Sequence, residues 1–272
     1  MLLRCIVGLR AWPIVCGGDP VLGDEKLGPD GQTLVWVPGG SFMMGCDEFY
    51  GTEQPVHRVT LDGFWLGKCE ITNAQYATFL NVVQPGSIAP WLDLGGGACQ
   101  IERIGGVYQP IAVWAQYPVV AVSWEGARVY CEHYGYSLPT EAQWEYAARG
   151  PAATVYPWGD TWDESKCCNQ KNQGPGGASF PVGSFATGAS WCGALDMAGN
   201  VEEWCADWYD EIYYRISPPL NPPGMVSGSW RVLRGGWWND EANFCRAACR
   251  DHFPPASSYY WAFGFRVSRS RS

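Results

Sequence analysis

Positive charge is what this chain most lacks: 18 Lys and Arg stand against 27 Asp and Glu, for a net charge of −9 and an isoelectric point near 4.8. Nucleic-acid binding through phosphates needs clustered Lys and Arg, so that function is disfavoured. An acidic partner surface would also be repelled. No apolar run approaches the roughly 20 residues of a membrane-spanning helix, and no membrane span is expected. Histidine is scarce: His57, His133 and His252 lie in separate segments, none at His-x-x-x-His or His-Glu-x-x-His spacing, against a His-based iron or zinc centre. No Cys-x-x-Cys pair occurs among the 12 cysteines; the nearest approaches are Cys167-Cys168 and Cys245-x-x-x-Cys249, against a structural zinc site.

What is abundant points to a packed but irregular fold. Hydrophobic residues make up 47% of 272 residues, enough for a real core. Sixteen Trp, 14 Tyr, 34 Gly and 20 Pro predict turns and irregular backbone packed by aromatics rather than long helices. The even cysteine count permits a disulfide framework, but in a chain with ample core the thiols are expected to be buried small hydrophobes. Residues 1–16 faintly resemble an export segment. Arg4 and Arg10 interrupt its apolar stretch, and Trp12-Pro-Ile-Val before Cys16 is a poor cleavage box, so an N-terminal arm over residues 1–30 is expected instead.

From Thr33 the pattern is strand-like: Leu34-Val-Trp-Val37 and Ser41-Phe-Met-Met-Gly45 around a glycine turn, then residues 54–61 and 63–67. Three helices are predicted. Thr72-x-x-Gln75 fits a capping box ahead of Tyr76, Phe79, Leu80 and Val83; Ser123 caps a second helix to His133; Thr140 caps a third to Arg149, with Gln143 returning the bond. Residues 150–190 read as a long loop, and loops of that length in a compact domain serve a function or a bound ion. Trp230-Arg-Val-Leu233 reads as a central strand. Neither a linker nor a short-period repeat divides the chain, so residues 31–272 form one expected domain.

Two constellations carry chemistry. Asp196, Gly199, Val201 and Glu203 offer carboxylate and carbonyl oxygens suited to calcium; the same spacing also fits an acidic turn capping a strand. Cys245 and Cys249 are flanked by Arg246 and Arg250, and a nearby cation lowers a thiol's pKa. Cys245 is therefore a candidate nucleophile, with a buried framework thiol as the competing reading. His252 fits a ligand-facing or a core role, while His57 and His133 read as packing or surface residues.

Val37-Pro-Gly-Gly-Ser-Phe-Met-Met-Gly45, Glu70-Ile-Thr-Asn-Ala-Gln-Tyr76, Leu138-Pro-Thr-Glu-Ala-Gln-Trp144, Tyr156-Pro-Trp-Gly159, Asp196-Met-Ala-Gly-Asn-Val201, Arg234-Gly-Gly236 and Gly264-Phe-Arg266 follow one another in the order of a known pattern. Together they resemble the formylglycine-generating enzyme (sulfatase-modifying factor) family. The resemblance implies an α+β, C-type-lectin-like fold with little regular secondary structure. It also implies calcium at Asp196, Gly199, Val201 and Glu203, and a second calcium site beginning at Asn169-Gln170 whose acidic partner is missing from the Gly174-Pro-Gly-Gly-Ala178 stretch. The family's oxidases bind copper through two cysteines after Arg-Gly-Gly and oxidise a substrate cysteine. Here Asn239 or Asp240 takes the place of the first, and Cys245 lies near the second.

The segment 231–267 further resembles the variable region of proteins diversified by a retroelement, several of them built on this scaffold. Adenine randomisation of Asn codons yields residues of the kinds found at Asn243, Phe244, Cys249, Asp251, His252, Phe253, Ser257, Tyr259 and Tyr260. Trp237, Trp238 and Trp261 are not reachable from such a codon. On this resemblance Trp237, Asn239, Asp240 and Trp261 join those positions on a non-catalytic face for a protein or other macromolecular ligand, and a bacterial or phage origin follows. The competing readings are that these aromatics are ordinary core, as expected of Phe263 and Phe265, or that the chain is a copper-dependent oxidase using Cys245.

Overall fold

The computed structural model describes residues 18–256 and 262–271. The expectations for residues 1–16, and for Ser257, Tyr259, Tyr260 and Trp261, therefore lie outside the described residues. In chain order the elements are β1 (Glu25–Leu27), β2 (Thr33–Val37), β3 (Gly40–Met44), β4 (His57–Leu61), β5 (Phe64–Gly67), α1 (Asn73–Val83), β6 (Ile101–Ile104), β7 (Val107–Pro110), α2 (Trp124–His133), α3 (Glu141–Arg149), β8 (Glu202–Trp208), β9 (Arg231–Arg234), β10 (Arg250–Phe253), β11 (Phe263–Gly264) and β12 (Ser268–Ser270).

Among the described residues these form four small sheets. One has the order β1-β2-β5-β12, so strands from the two ends of the chain share a sheet; a second has the order β10-β9-β8-β11; β3 pairs with β4 and β6 with β7. The two stretches around the expected glycine turn thus go to different sheets, because β2 pairs with β5 and β3 with β4. The sheet also starts earlier than Thr33. Glu25–Leu27 lies within the expected N-terminal arm yet runs antiparallel to β2.

Each helix begins where its cap predicts. Thr72 and Thr140 accept from the backbone N–H of Gln75 and Gln143, and both glutamine side chains complete the box; Ser123 accepts from Gly126. Such caps satisfy N–H groups the helix itself leaves unpaired, worth about 1 kcal/mol each. The apolar faces of α1 and α2 meet in one core around Tyr76, Phe79, Tyr130 and Phe265, and α3 packs Trp144 and Ala147 into a second core with Val35 and Met197. Phe263 and Phe265 are buried, as expected. Residues 150–190 carry only short 3-10 turns at Glu164–Lys166 and Ala186–Gly188. No helix among the described residues is long and apolar enough to cross a membrane.

Candidate functional site

The central strand β9 delivers Arg234 to the middle of the molecule. Its guanidinium donates to the Glu145 carboxylate and to the carbonyls of Ala247 (2.9 Å) and Ala248 (3.0 Å), and lies 3.7 Å from Glu141. Gly235 and Gly236 follow with φ of 102° and 72°. A Cβ on Gly236 would stand 2.9 Å from the Phe244 carbonyl and 3.0 Å from the Asp240 carboxylate, so only glycine lets the next turn fold back this closely.

Three more arginines fix the rest of the segment. Arg246 grips Glu53 with two bonds of 2.6 and 2.8 Å and the Asn243 carbonyl with a third. Arg250 grips both oxygens of Glu141 at 2.6 and 3.0 Å and the Thr52 carbonyl at 2.7 Å. Arg266 binds both oxygens of Glu203 at 2.6 Å, and Trp144 Nε1 donates to the same carboxylate at 2.9 Å. These side chains are all buried. Paired planar guanidinium–carboxylate bonds are the strong, orientation-fixing kind.

The arginines change the reading of the thiols. Arg246 and Arg250 are committed to Glu53 and Glu141, and the pull of Arg246 on the Cys249 thiol is outweighed by burial. The Cys245 thiol is pushed well above its ordinary pKa by its hydrogen bond with Cys167 and by burial. Burial raises Cys249 to about 12, with Glu53 adding to the shift. A thiol so raised is protonated near neutral pH and is a poor nucleophile. The partner of Cys245 is Cys167, from the long loop, which no spacing within the segment could reveal. Both sit in a small apolar cluster with Ala198, flanked by Trp158 and Trp162.

The proposed calcium set shares its residues with other partners. Both oxygens of Glu203 are occupied by Arg266 and Trp144, and Val201 is fully buried. Asp196 accepts from the Gly183 N–H at 2.6 Å and shares a hydrogen bond with Glu70, which accepts from the Asn200 amide at 2.9 Å. Of the expected set, the Asp196 carboxylate and the carbonyls of Gly199 and Val201 remain, whereas calcium takes six to eight oxygens at once. At the second position Asn169 spends its amide on the Glu164 and Cys167 carbonyls and its oxygen on the Lys171 N–H. Among the described residues no three His, Cys, Asp or Glu side chains are grouped to hold a metal ion.

What the frame encloses is a cavity of about 610 Å³. Of the expected face residues, Trp237, Asp240, Phe244, Cys249, Asp251 and Phe253 line it. Asn239 and Asn243 are exposed outside it, and Asn239 accepts from Gln173 at 2.8 Å. Cys249 reaches the wall although it is buried, as a frame residue would be. His252 is held between the rings of Tyr209 and Trp230, with centroids 3.9 and 4.3 Å away, and burial lowers its pKa. The lining residues the sequence reading missed are Tyr50, Thr52, Glu202 and Glu211. Glu202 was legible in part: in a strand, neighbouring side chains point to opposite faces, so with Glu203 turned to Arg266 its neighbour must face the other way.

Small sheets, three helices and a long irregular segment held by buried arginines define an α+β protein of the C-type-lectin-like class. The sulfatase-modifying factor enzyme 1-like domain matches residues 22–271, and the chain belongs to that family. The formylglycine-generating enzyme of Streptomyces coelicolor is 35% identical, over 82% of this chain and 85% of that protein. A Chlamydia pneumoniae protein named serine/threonine-protein kinase pkn1 is also 35% identical over 91% of this chain, but the match spans only 39% of that protein's length. Among solved structures, PvdO from Pseudomonas aeruginosa superposes with a TM-score of 0.74 at 27% identity, covering 93% of this chain and all of that one. Treponema denticola variable protein 1 shares the fold at a TM-score of 0.69 and 24% identity, covering 88% and 95% of the two chains.

Proposed function

We propose that the chain is a non-catalytic recognition protein whose segment 231–267 is diversified by a retroelement and presents a variable face to a protein or other macromolecular ligand. The observation that carries this reading is the division of labour within the segment. Arg234 and Arg246 hold main-chain carbonyls of residues 243–248, and a carbonyl is present whatever side chain a codon specifies. Positions 237, 240, 244, 251 and 253 turn toward one cavity. Aromatic rings with a few polar groups suit recognition, since rings bury area at small entropic cost.

The oxidase reading is kept as the alternative because an enzyme of that name aligns over most of both chains. It requires two thiolates at one copper. Position 240 holds a carboxylate, while the thiols of Cys245 and Cys167 are buried away from the cavity. Two measurements separate the readings. A near-identical template copy of the segment's coding sequence, differing at adenines and neighboured by a reverse transcriptase, is expected beside the gene. Copper(I) titration with Cys245→Ser as control is expected to give no turnover of a cysteine-containing sulfatase-type peptide; thiolate-dependent copper with turnover would overturn the proposal.

A further inference from the structure

We infer that the cavity receives a cationic group, the ammonium or guanidinium of a Lys or Arg side chain on the partner polypeptide. This rests on the recognition reading and names the chemistry of its ligand. Glu202 lines the cavity with only 8% of its surface exposed. Among the described residues its carboxyl meets no N–H or cation; its side-chain hydrogen bond is with Asp251, another carboxyl. Asp240 stands near enough to raise Glu202 further, and among those residues its own carboxylate is bonded by Trp237 alone, through the backbone N–H at 3.1 Å and the indole N–H.

The two cations in the cavity wall do not compensate this cluster. Arg234 is occupied by Glu145 and backbone carbonyls, and Arg250 by Glu141 and the Thr52 carbonyl. A buried carboxyl without a donor holds a proton or takes a cation from outside. Burial first, then Asp251 and Asp240, pushes Glu202 well above the usual carboxylate range, the state of a site waiting for positive charge. The remaining walls suit a basic side chain. Phe244 is 45% exposed and stacked with Tyr50 at 6.2 Å, and with Trp237 these rings offer faces to an alkyl stem or a cation. The cavity lies within the roughly 300–1,000 Å³ of ordinary ligand pockets.

The test uses the full chain and three probes, N-acetyl-lysinamide, N-acetyl-norleucinamide and N-acetyl-glutamate amide, followed by NMR of the Trp indole signals. The lysine probe is expected to bind saturably at pH 7, at least tenfold tighter than the norleucine probe, with no binding of the glutamate probe. Its affinity should increase from pH 5 to 8, because the cation displaces the proton that burial favours on Glu202 and Asp240. Glu211, Arg234, Arg250, Cys249 and Tyr50 also border the cavity, and the two arginines stay charged throughout. Glu202→Gln should weaken the lysine probe at least tenfold and remove most of the pH dependence, while its thermal midpoint at pH 8 should equal or exceed that of the parent. Equal binding of norleucine and lysine, undiminished binding by Glu202→Gln in a folded protein, or no binding by any probe overturns the inference. Preference for the neutral or acidic probe refutes the cation alone and leaves the recognition reading standing; copper-dependent turnover refutes that reading itself.

Discussion

Replacing Arg266 by Met separates the frame from the face it carries. Arg266 and Glu203 are both fully buried, joined by two bonds of 2.6 Å, and Arg266 further donates to the Gly67 and Leu195 carbonyls at 3.0 Å. Removing one partner of a buried pair strands the other charge and typically costs about 3–5 kcal/mol. For a domain of this size each kcal/mol lowers the thermal midpoint by roughly 2–4 °C, so Arg266→Met should lower it by roughly 6–20 °C. Adding Glu203→Gln removes the stranded charge yet keeps an acceptor for Trp144 Nε1. The double variant should regain more than half of the loss, the remainder being the carbonyls left without a donor. By contrast Asn243→Tyr and Phe244→Asn, at exposed positions of the same segment, should cost no more than about 1 kcal/mol. Urea and thermal unfolding followed by circular dichroism read all four variants. Should Arg266→Met cost no more than Asn243→Tyr, or the double variant be no better than the single, the buried arginine pairs are not what holds the segment.

Asp207 is fully buried and pushed up to about 7, first by burial and then by Glu141, although it accepts the Glu141 N–H at 2.8 Å. Its unfolded counterpart ionises near 4, so between about pH 4 and 7 the native state holds the extra proton and stability falls as pH rises. Asp207→Asn should therefore raise the thermal midpoint at pH 8 more than at pH 5, and an equal effect at both would refute the shift. Cys245 and Cys249 should resist iodoacetamide at pH 7.5 in the folded protein and react in urea; rapid labelling of Cys245 in the native state would show an activated thiol. With Glu203 given to Arg266, adding millimolar calcium after chelation should move the midpoint by less than about 1 °C, whereas saturable stabilisation would mean that the carboxylate is released to a cation.

Local rules made the helices legible and the pairings illegible. Thr72, Ser123 and Thr140 cap helices through bonds to residues three positions on, so the information lies within one turn of chain. Arg246 finds Glu53, and Arg250 finds Glu141, across 193 and 109 positions. Spacing said only that Arg, Gly and Phe recur with a rhythm, not that each Arg answers a carboxylate elsewhere. The same limit bears on two site readings. Arg246 beside Cys245 looked like an activating cation, and Glu203 after Asp196 looked like a ligand. Each is an ion-pair partner whose other half lies far away in sequence. The cavity was legible only by half, since one wall is the segment 231–267 while Tyr50, Thr52 and Glu202 come from elsewhere.

If the face varies as proposed, the choice of arginine for the frame has a physical consequence. An apolar frame would hold the segment through side-chain packing, and every substitution on the face would disturb that packing by the volume it changed. Buried ion pairs are seldom the more stabilising solution, since desolvation opposes them. They have a different merit here. Arg234 holds the chain at the carbonyls of 247 and 248, and Arg246 at that of 243, next to Phe244, one of the most exposed aromatics of the segment. The turn's path is thereby set by main-chain groups common to all residues. If this is the device that permits variation, then variants randomised at 239, 243, 244 and 251 should unfold at midpoints clustered within a few degrees. A library randomised at 247 and 248, whose side chains are buried beneath the same carbonyls, should scatter widely and lose its folded members. Equal scatter in the two libraries would show that the carbonyl grip does not insulate the fold from the face.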